Sequence, residues 1–130
     1  MPKKIGLVLY ENVQPMDVIG PWEVLAIWKK VLNAPIEMYL VSEDGGSVNC
    51  DDDIVLNAHC AFRNSPDFAY LIVPGGRGRR EQVDNEHLIA FIKAKAATAD
   101  KIISVCTGMF LLHKAGLLRN KPVTTYWRAL

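Results

Sequence analysis

The chain has 130 residues, of which half are hydrophobic and 22% are charged, and its formal net charge is +1. This length corresponds to one domain, and the composition excludes a disordered chain. Because its net charge is close to zero, the chain has no overall electrostatic field that would attract nucleic acid or an anionic membrane. No run approaches the ~18 apolar residues of a membrane helix.

Short apolar runs alternate with longer amphipathic stretches in the first half of the chain. A strand is predicted over 5–10, and a helix is predicted to begin near Gly20-Pro21, because proline suits the first turn of a helix. A second strand is predicted over 36–41. After the Gly45-Gly46 turn, the polar stretch 47–57 indicates one or two short strands.

The second half continues the alternation. Strands are predicted over 70–73 and 101–105, helices over 86–99 and 107–118, and a further strand begins at 123–125. Strand and helix at these spacings predict an α/β fold, a flavodoxin-like three-layer sandwich with a mostly parallel sheet. In such sheets, ligands bind outside the carboxyl ends of the strands, so the loops that follow these ends are the candidate site.

Cys106 follows its strand directly, and a helix follows Cys106 with almost no loop. This layout is that of a nucleophile elbow with cysteine as the nucleophile, and Ser104 and Gly108 are the small residues that a tight turn needs. A helix N-terminus favours the reactive thiolate. The alternative is a small buried hydrophobic residue, which is our interpretation of Cys50 and Cys60.

Two other loops at the same edge carry candidate residues. The Gly75-Gly76 turn predicts an oxyanion hole, in which one glycine N–H and the N–H of Thr107 would bind a negatively charged oxygen. A simple tight turn is the alternative. Asp17 lies between the first strand and the first helix. Facing Cys106, it would donate a proton or orient a water molecule, whereas the alternative is an ordinary helix cap.

Three arginines follow the glycine turn, at positions 77, 79 and 80. Guanidinium groups bind phosphate or carboxylate, so a phosphate- or nucleotide-binding protein is a further hypothesis. The segment 75–80 does not match the phosphate-loop pattern, and a solvated loop is the alternative.

Taken together, these segments resemble the ThiJ/PfpI superfamily, whose fold is like that of class I glutamine amidotransferases. The segment 16–25 is similar to the family's opening, with an acidic residue before a Gly-Pro pair, and 72–76 is similar to its oxyanion loop. The segment 104–108 resembles its elbow. The segments 115–118 and 123–129 resemble the branch that holds isonitrile hydratases and the N-terminal domains of AraC-type regulators.

This resemblance implies a cysteine-dependent small-molecule enzyme that adds water to an isonitrile and yields an N-substituted formamide. Cys106 would be the nucleophile, Asp17 would position water or shuttle the proton, and Thr107 would support the charged intermediate. We expect no cofactor or metal, a cytoplasmic homodimer, and neither nucleic acid nor membrane as a partner. The alternative is a non-catalytic ligand- or redox-sensing module related to the AraC-type regulators.

The chain departs from this branch at one position. Many relatives have histidine in the Thr-Thr-X-Trp segment, where this sequence has Tyr126. Tyrosine, with an ordinary pKa near ~10, is a poor base at neutral pH, so the sequence does not support a Cys–His pair. His59, His87 and His113 lie off that motif, and we interpret them as surface or helix residues.

The resembling proteins continue beyond the position of Leu130. Residues 1–130 are therefore expected to form a single domain that is incomplete at its C-terminus. The predicted strand at 123–125 would then expose apolar surface, so we expect the chain to pair with a second copy or to be marginally stable.

Overall fold

A parallel five-stranded sheet forms the centre of the protein, whose computed structural model describes residues 1–125. The strands of this part are β1 (Lys3–Val8), β2 (Ile36–Ser42), β3 (Ser47–Asn49), β4 (Val55–Asn57), β5 (Cys60–Ala61), β6 (Tyr70–Val73) and β7 (Lys101–Ser104). The order across the sheet is β5-β2-β1-β6-β7, with every pair of neighbours parallel. Strands β3 and β4 form a separate antiparallel pair. The predicted α/β fold with a mostly parallel sheet is confirmed.

Helices connect the strands and cover the sheet. They are α1 (Pro15–Val31), α2 (Arg79–Gln82), α3 (Glu86–Ala96) and α4 (Met109–Lys114). Helix α3 begins where the Asn85 side chain accepts hydrogen bonds from two backbone N–H groups of its first turn. A 3-10 turn over Cys106–Gly108 leads into α4. Gly116, at φ +78°, takes the left-handed conformation that ends a helix.

The predicted start of α1 near Gly20-Pro21 is wrong, because the helix already begins at Pro15. Both prolines suit a first turn, and the earlier one occupies it, while Pro21 lies inside the helix without an N–H to donate. Asp17 therefore lies in the first turn of α1 rather than in a loop, and its N–H donates to the carbonyl of Gln14 over 3.1 Å.

The strand predicted at 123–125 is also absent, since these residues have no regular secondary structure. The Thr125 hydroxyl instead donates to the carbonyl oxygen of Cys106 over 2.8 Å. Among residues 1–125, β7 is thus an edge strand, and its Ile103 is 38% exposed. Tyr126 lies outside the described residues.

The core surrounds the central strand β1, where Ile5 and Leu7 are fully buried. Gly6 lets the ring of Phe68 lie against this strand, because a Cβ at Gly6 would stand 2.7 Å from the ring. Strand β1 pairs with β2 on one side and with β6 on the other, so the loops at their carboxyl ends have a rigid base. No helix formed by residues 1–125 is long and apolar enough to cross a bilayer.

Candidate active site

Cys106 forms a sharp elbow between β7 and α4. Its backbone has φ +52°, in the left-handed region that non-glycine residues rarely adopt, and its side chain is exposed. Gly108 allows the elbow to approach the next loop, because a Cβ there would collide with the carbonyl oxygen of Val73. The strand–turn–helix layout therefore presents the thiol to solvent on a strained backbone.

Asp17 and Gly75 are joined by a hydrogen bond across 58 residues of sequence. The Gly75 N–H donates to Oδ2 of Asp17 over 3.1 Å. Burial raises the pKa of the Asp17 carboxyl above its ordinary value, and the Gly75 N–H offsets part of this shift. Asp17 therefore holds a proton at a higher pH than an exposed aspartate does.

Gly76 and Thr107 form the second link between the glycine turn and the elbow. The Gly76 N–H donates to Oγ1 of Thr107 over 3.0 Å, and Thr107 is buried. The turn lies directly against the elbow, since a Cβ on Gly75 would stand 2.5 Å from Oγ1 and 2.6 Å from N of Thr107. The five residues singled out from the sequence are thus one connected set: Asp17, Gly75, Gly76, Cys106 and Thr107.

The hydrogen bonds of this set decide which donors remain for a developing negative charge. Both glycine N–H groups have an acceptor, Asp17 for Gly75 and Thr107 Oγ1 for Gly76. The N–H groups of Cys106 and Thr107 donate to no acceptor within residues 1–125. These two adjacent donors are available without rearrangement, whereas a glycine N–H must first release its acceptor.

Tyr10 is a site residue that the sequence reasoning missed. Its buried hydroxyl donates to the carbonyl oxygen of Pro74 over 2.6 Å. That carbonyl and the N–H of Gly75 belong to the same peptide unit, so Tyr10 and Asp17 fix its two ends. The signal available in the sequence was its position, since Tyr10 ends the first apolar run at the carboxyl edge of the sheet.

The electrostatics of Tyr10 connect the loops. Burial raises the pKa of Tyr10 far above its usual value, and the charge of Asp17 raises it further. The guanidinium of Arg79 acts in the opposite direction, and Cys106 adds to the increase. The four side chains are therefore close enough for their charges to interact.

The three arginines after the glycine turn have different surroundings. Arg77 forms an ion pair with Asp51, with Nε donating to Oδ2 over 3.0 Å, and this contact lowers the pKa of Asp51. The guanidinium carbon of Arg79 lies 4.2 Å from the centre of the Phe110 ring. Arg80 is exposed. The arrangement does not bring the three side chains onto one shared partner.

The histidines and the other two cysteines are not joined to this set by any hydrogen bond within residues 1–125. His59, His87 and His113 are exposed, and His59 stacks on Trp22 with ring centres 5.6 Å apart. Cys50 is buried, and Cys60 is partly buried. Within residues 1–125, no group of three or more His, Cys, Asp or Glu side chains could hold a metal ion.

A cavity of about 180 Å³ lies next to the site, at the carboxyl ends of β1 and β2. Tyr10 and Glu11 form one side of it, and Glu43 and Asn85 form another. Cys106 does not line this cavity.

Comparisons with known proteins agree with this geometry. The sequence profile of the DJ-1/PfpI family matches residues 3–130. Isonitrile hydratase from Pseudomonas putida is 35% identical over 127 residues, which are 98% of this chain and 54% of the hydratase. The HTH-type transcriptional regulator GbdR from Pseudomonas aeruginosa is 28% identical over 130 residues, 99% of this chain and 35% of the regulator. The crystal structure of a ThiJ/PfpI family protein from Pseudomonas syringae superposes with a TM-score of 0.84 at 26% identity, covering 92% of this chain and 48% of that one.

Proposed function

Because the chain belongs to the DJ-1/PfpI family, as its sequence resemblance predicted, we propose that it is a cysteine-dependent enzyme that hydrates isonitriles to N-substituted formamides. One observation carries this proposal: an exposed cysteine on a left-handed turn, tied through the glycine loop to a half-buried carboxyl group. The 35% identity with isonitrile hydratase supports the choice of reaction. The chain spans about half the length of that relative, 54%.

The proposed reaction proceeds in two stages. The Cys106 thiolate attacks the terminal carbon of the isonitrile, and protonated Asp17 gives its proton to that carbon, which leaves a thioimidate on the sulfur. Water then adds to the same carbon and returns one proton to Asp17, while its second proton goes to nitrogen. The carbon–sulfur bond breaks, the thiolate is restored, and the formamide leaves, so isonitrile plus water accounts for every atom.

The hydrogen bonds of the site suit these roles. The raised pKa of Asp17 shifts its carboxyl toward the protonated form that the first stage uses. The N–H groups of Cys106 and Thr107 are donors for the charged adduct, because it forms next to the sulfur. Tyr10 restrains the peptide unit that orients Asp17.

The test is formamide production from a simple alkyl isonitrile. We expect Cys106→Ala to abolish turnover and Asp17→Ala to lower it by about 10²-fold or more, as for loss of a general acid. Cys60→Ala is the matched control, since Cys60 is partly buried on β5, at the opposite edge of the sheet from β7, which leads into the elbow. Equal activity in all variants would contradict the mechanism.

A second candidate function is a redox- or ligand-sensing module. The match to GbdR over 99% of the chain and the exposed thiol favour it. In this case Cys106 gains one oxygen atom from hydrogen peroxide and forms a sulfenic acid plus water. Intact-mass measurements distinguish the two, because a sensor oxidises readily at Cys106 and consumes no isonitrile.

We also propose that two copies pair through α1. This helix exposes an apolar stripe at the helical spacing i, i+3, i+4, i+7: Val24 is 68% exposed, Ile27 58%, Trp28 40% and Val31 67%. A contiguous apolar stripe of this kind signals an interaction surface. The cytoplasm is the proposed location, since the three cysteines are free and a reduced Cys106 requires a reducing compartment.

A further inference from the structure

Arg79 is a partly buried cation beside the elbow that the proposed reaction does not use. Its guanidinium carbon lies 4.2 Å from the centre of the Phe110 ring, a distance typical of a cation–π contact. Within residues 1–125 it forms no ion pair with a carboxylate, whereas Arg77, two residues earlier, is paired with Asp51. A guanidinium that packs on an aromatic ring and is not paired with a carboxylate has N–H donors left for an external anion.

Its position places this charge beside the helix that follows the reacting thiol. Phe110 lies in the first turn of α4, the helix that directly follows the 3-10 turn of Cys106. The guanidinium also acts electrostatically on the Tyr10 hydroxyl, and Cys106 acts on the same hydroxyl. The contact with Phe110 therefore places Arg79 beside the helix that follows the Cys106 elbow.

We propose that Arg79 is a substrate-binding residue of the Cys106 site, and that the preferred substrate carries a carboxylate close to its reacting carbon. This inference rests on the proposed function for the reacting group, and it adds the chemical class of the rest of the substrate. Carboxylate is the expected anion because a planar guanidinium binds it through two parallel N–H···O bonds. The Phe110 ring restrains the guanidinium, so less side-chain freedom is lost on binding.

The experiment compares two alkylating reagents of similar size, one with a carboxylate and one with a neutral amide. Iodoacetate and iodoacetamide both form a carbon–sulfur bond with the Cys106 thiolate and release iodide, but only iodoacetate carries a carboxylate. The second-order rate of each is followed at the Cys106 peptide by mass spectrometry. The ratio of the two rates measures anion recognition, and it cancels changes in the reactivity of the thiol itself.

We expect Arg79→Gln to lower the iodoacetate-to-iodoacetamide ratio roughly three- to tenfold, the range for a charged hydrogen bond at a half-exposed position. Arg79→Lys, which retains the charge without the fork of donors, should retain part of the preference. Arg80→Gln is the matched control, because Arg80 is exposed on the same segment and should leave the ratio unchanged. An unchanged ratio in Arg79→Gln, or an equal fall in Arg80→Gln, would overturn the proposal.

A substrate pair separates this proposal from the proposed function. Isocyanoacetate and its methyl ester are compared in the hydration assay with wild type and Arg79→Gln. A fall in kcat/KM for the carboxylate alone supports both proposals. If neither compound is hydrated but the alkylation ratio still falls, the hydratase assignment fails and the anion site stands. If both isonitriles are hydrated, and Arg79→Gln changes neither the alkylation ratio nor the ratio of the two kcat/KM values, the anion site is refuted and the hydratase proposal is retained.

Discussion

Substitution of Gly75 by alanine tests the contact between the glycine turn and the elbow. A Cβ at this position would stand 2.5 Å from Oγ1 and 2.6 Å from N of Thr107. Ordinary carbon contacts lie near 3.5 Å, so the turn must retreat by about 1 Å. Overpacking of this kind costs about 1–3 kcal/mol of unfolding free energy, which lowers the Tm of a chain of this length by about 4–12 °C.

The same retreat should impair the chemistry. It lengthens the hydrogen bonds from Gly75 to Asp17 and from Gly76 to Thr107, which are 3.1 and 3.0 Å long. A displacement of about 1 Å in a site of this type can lower turnover about 10²-fold. Urea unfolding measures the first effect, and isonitrile hydration together with iodoacetamide alkylation of Cys106 measures the second.

Gly20→Ala is the matched control for this substitution. Gly20 lies in α1 with its nearest neighbour, the Met16 sulfur, 3.8 Å from an added Cβ. Alanine favours a helix over glycine by up to about 1 kcal/mol, so this variant should gain stability and retain activity. If Gly75→Ala unfolds at the wild-type urea concentration with normal activity, the tight contact with Thr107 does not exist. If both variants lose stability equally, the effect is not specific to the elbow.

Three further predictions concern single side chains. Tyr10→Phe leaves the buried carbonyl of Pro74 without its donor and should lower the unfolding free energy by about 1–3 kcal/mol in urea titrations; an unchanged value would remove Tyr10 from the site. Burial raises the folded-state pKa of Asp17, so its ionisation destabilises the fold as the pH rises through the unfolded and then the folded pKa. Asp17→Asn should therefore gain Tm over wild type at neutral pH and lose this advantage in acid, and a gain confined to acid would contradict the sign. Val24→Lys, in the exposed stripe of α1, should convert dimer to monomer in sedimentation velocity, whereas Val55→Lys, 57% exposed on β4, should not. Dissociation by both variants, or by neither, would argue against pairing through α1.

The sheet was predictable because its strands are buried. Strand β6 coincides with the predicted run 70–73, and Leu71, Ile72 and Val73 are all buried. Two elements were not predictable for physical reasons. Pro15 and Pro21 carry the same local signal for a helix start, and burial of Val18 is a tertiary contact that favours the earlier one. Residues 123–125 have the composition of a strand, but β7 is the edge of the described sheet, and the Thr125 hydroxyl instead donates to the carbonyl oxygen of Cys106.

The site shows a similar division between local and long-range information. The rule that ligands meet the carboxyl ends of parallel strands pointed to the loops that carry Asp17, the glycine turn and Cys106, and hydrogen bonds join these loops in the structure. The role of Tyr10 depends on a partner 64 residues away, so no local pattern encodes it. Arg77 and Arg79 differ only in their three-dimensional neighbours, Asp51 for one and Phe110 for the other. The order of strands and loops could therefore be read from the sequence, whereas the partners of Tyr10, Arg77 and Arg79 depend on tertiary contacts.

The left-handed backbone of Cys106 has an evolutionary consequence. A non-glycine residue in this conformation costs on the order of 1 kcal/mol that glycine avoids. For a lineage with no use for the thiol, the change from cysteine to glycine would be a stabilising mutation that no loss of chemistry opposes. Cysteine at this position is therefore the less stable choice, and under the proposed function selection for its chemistry would maintain it.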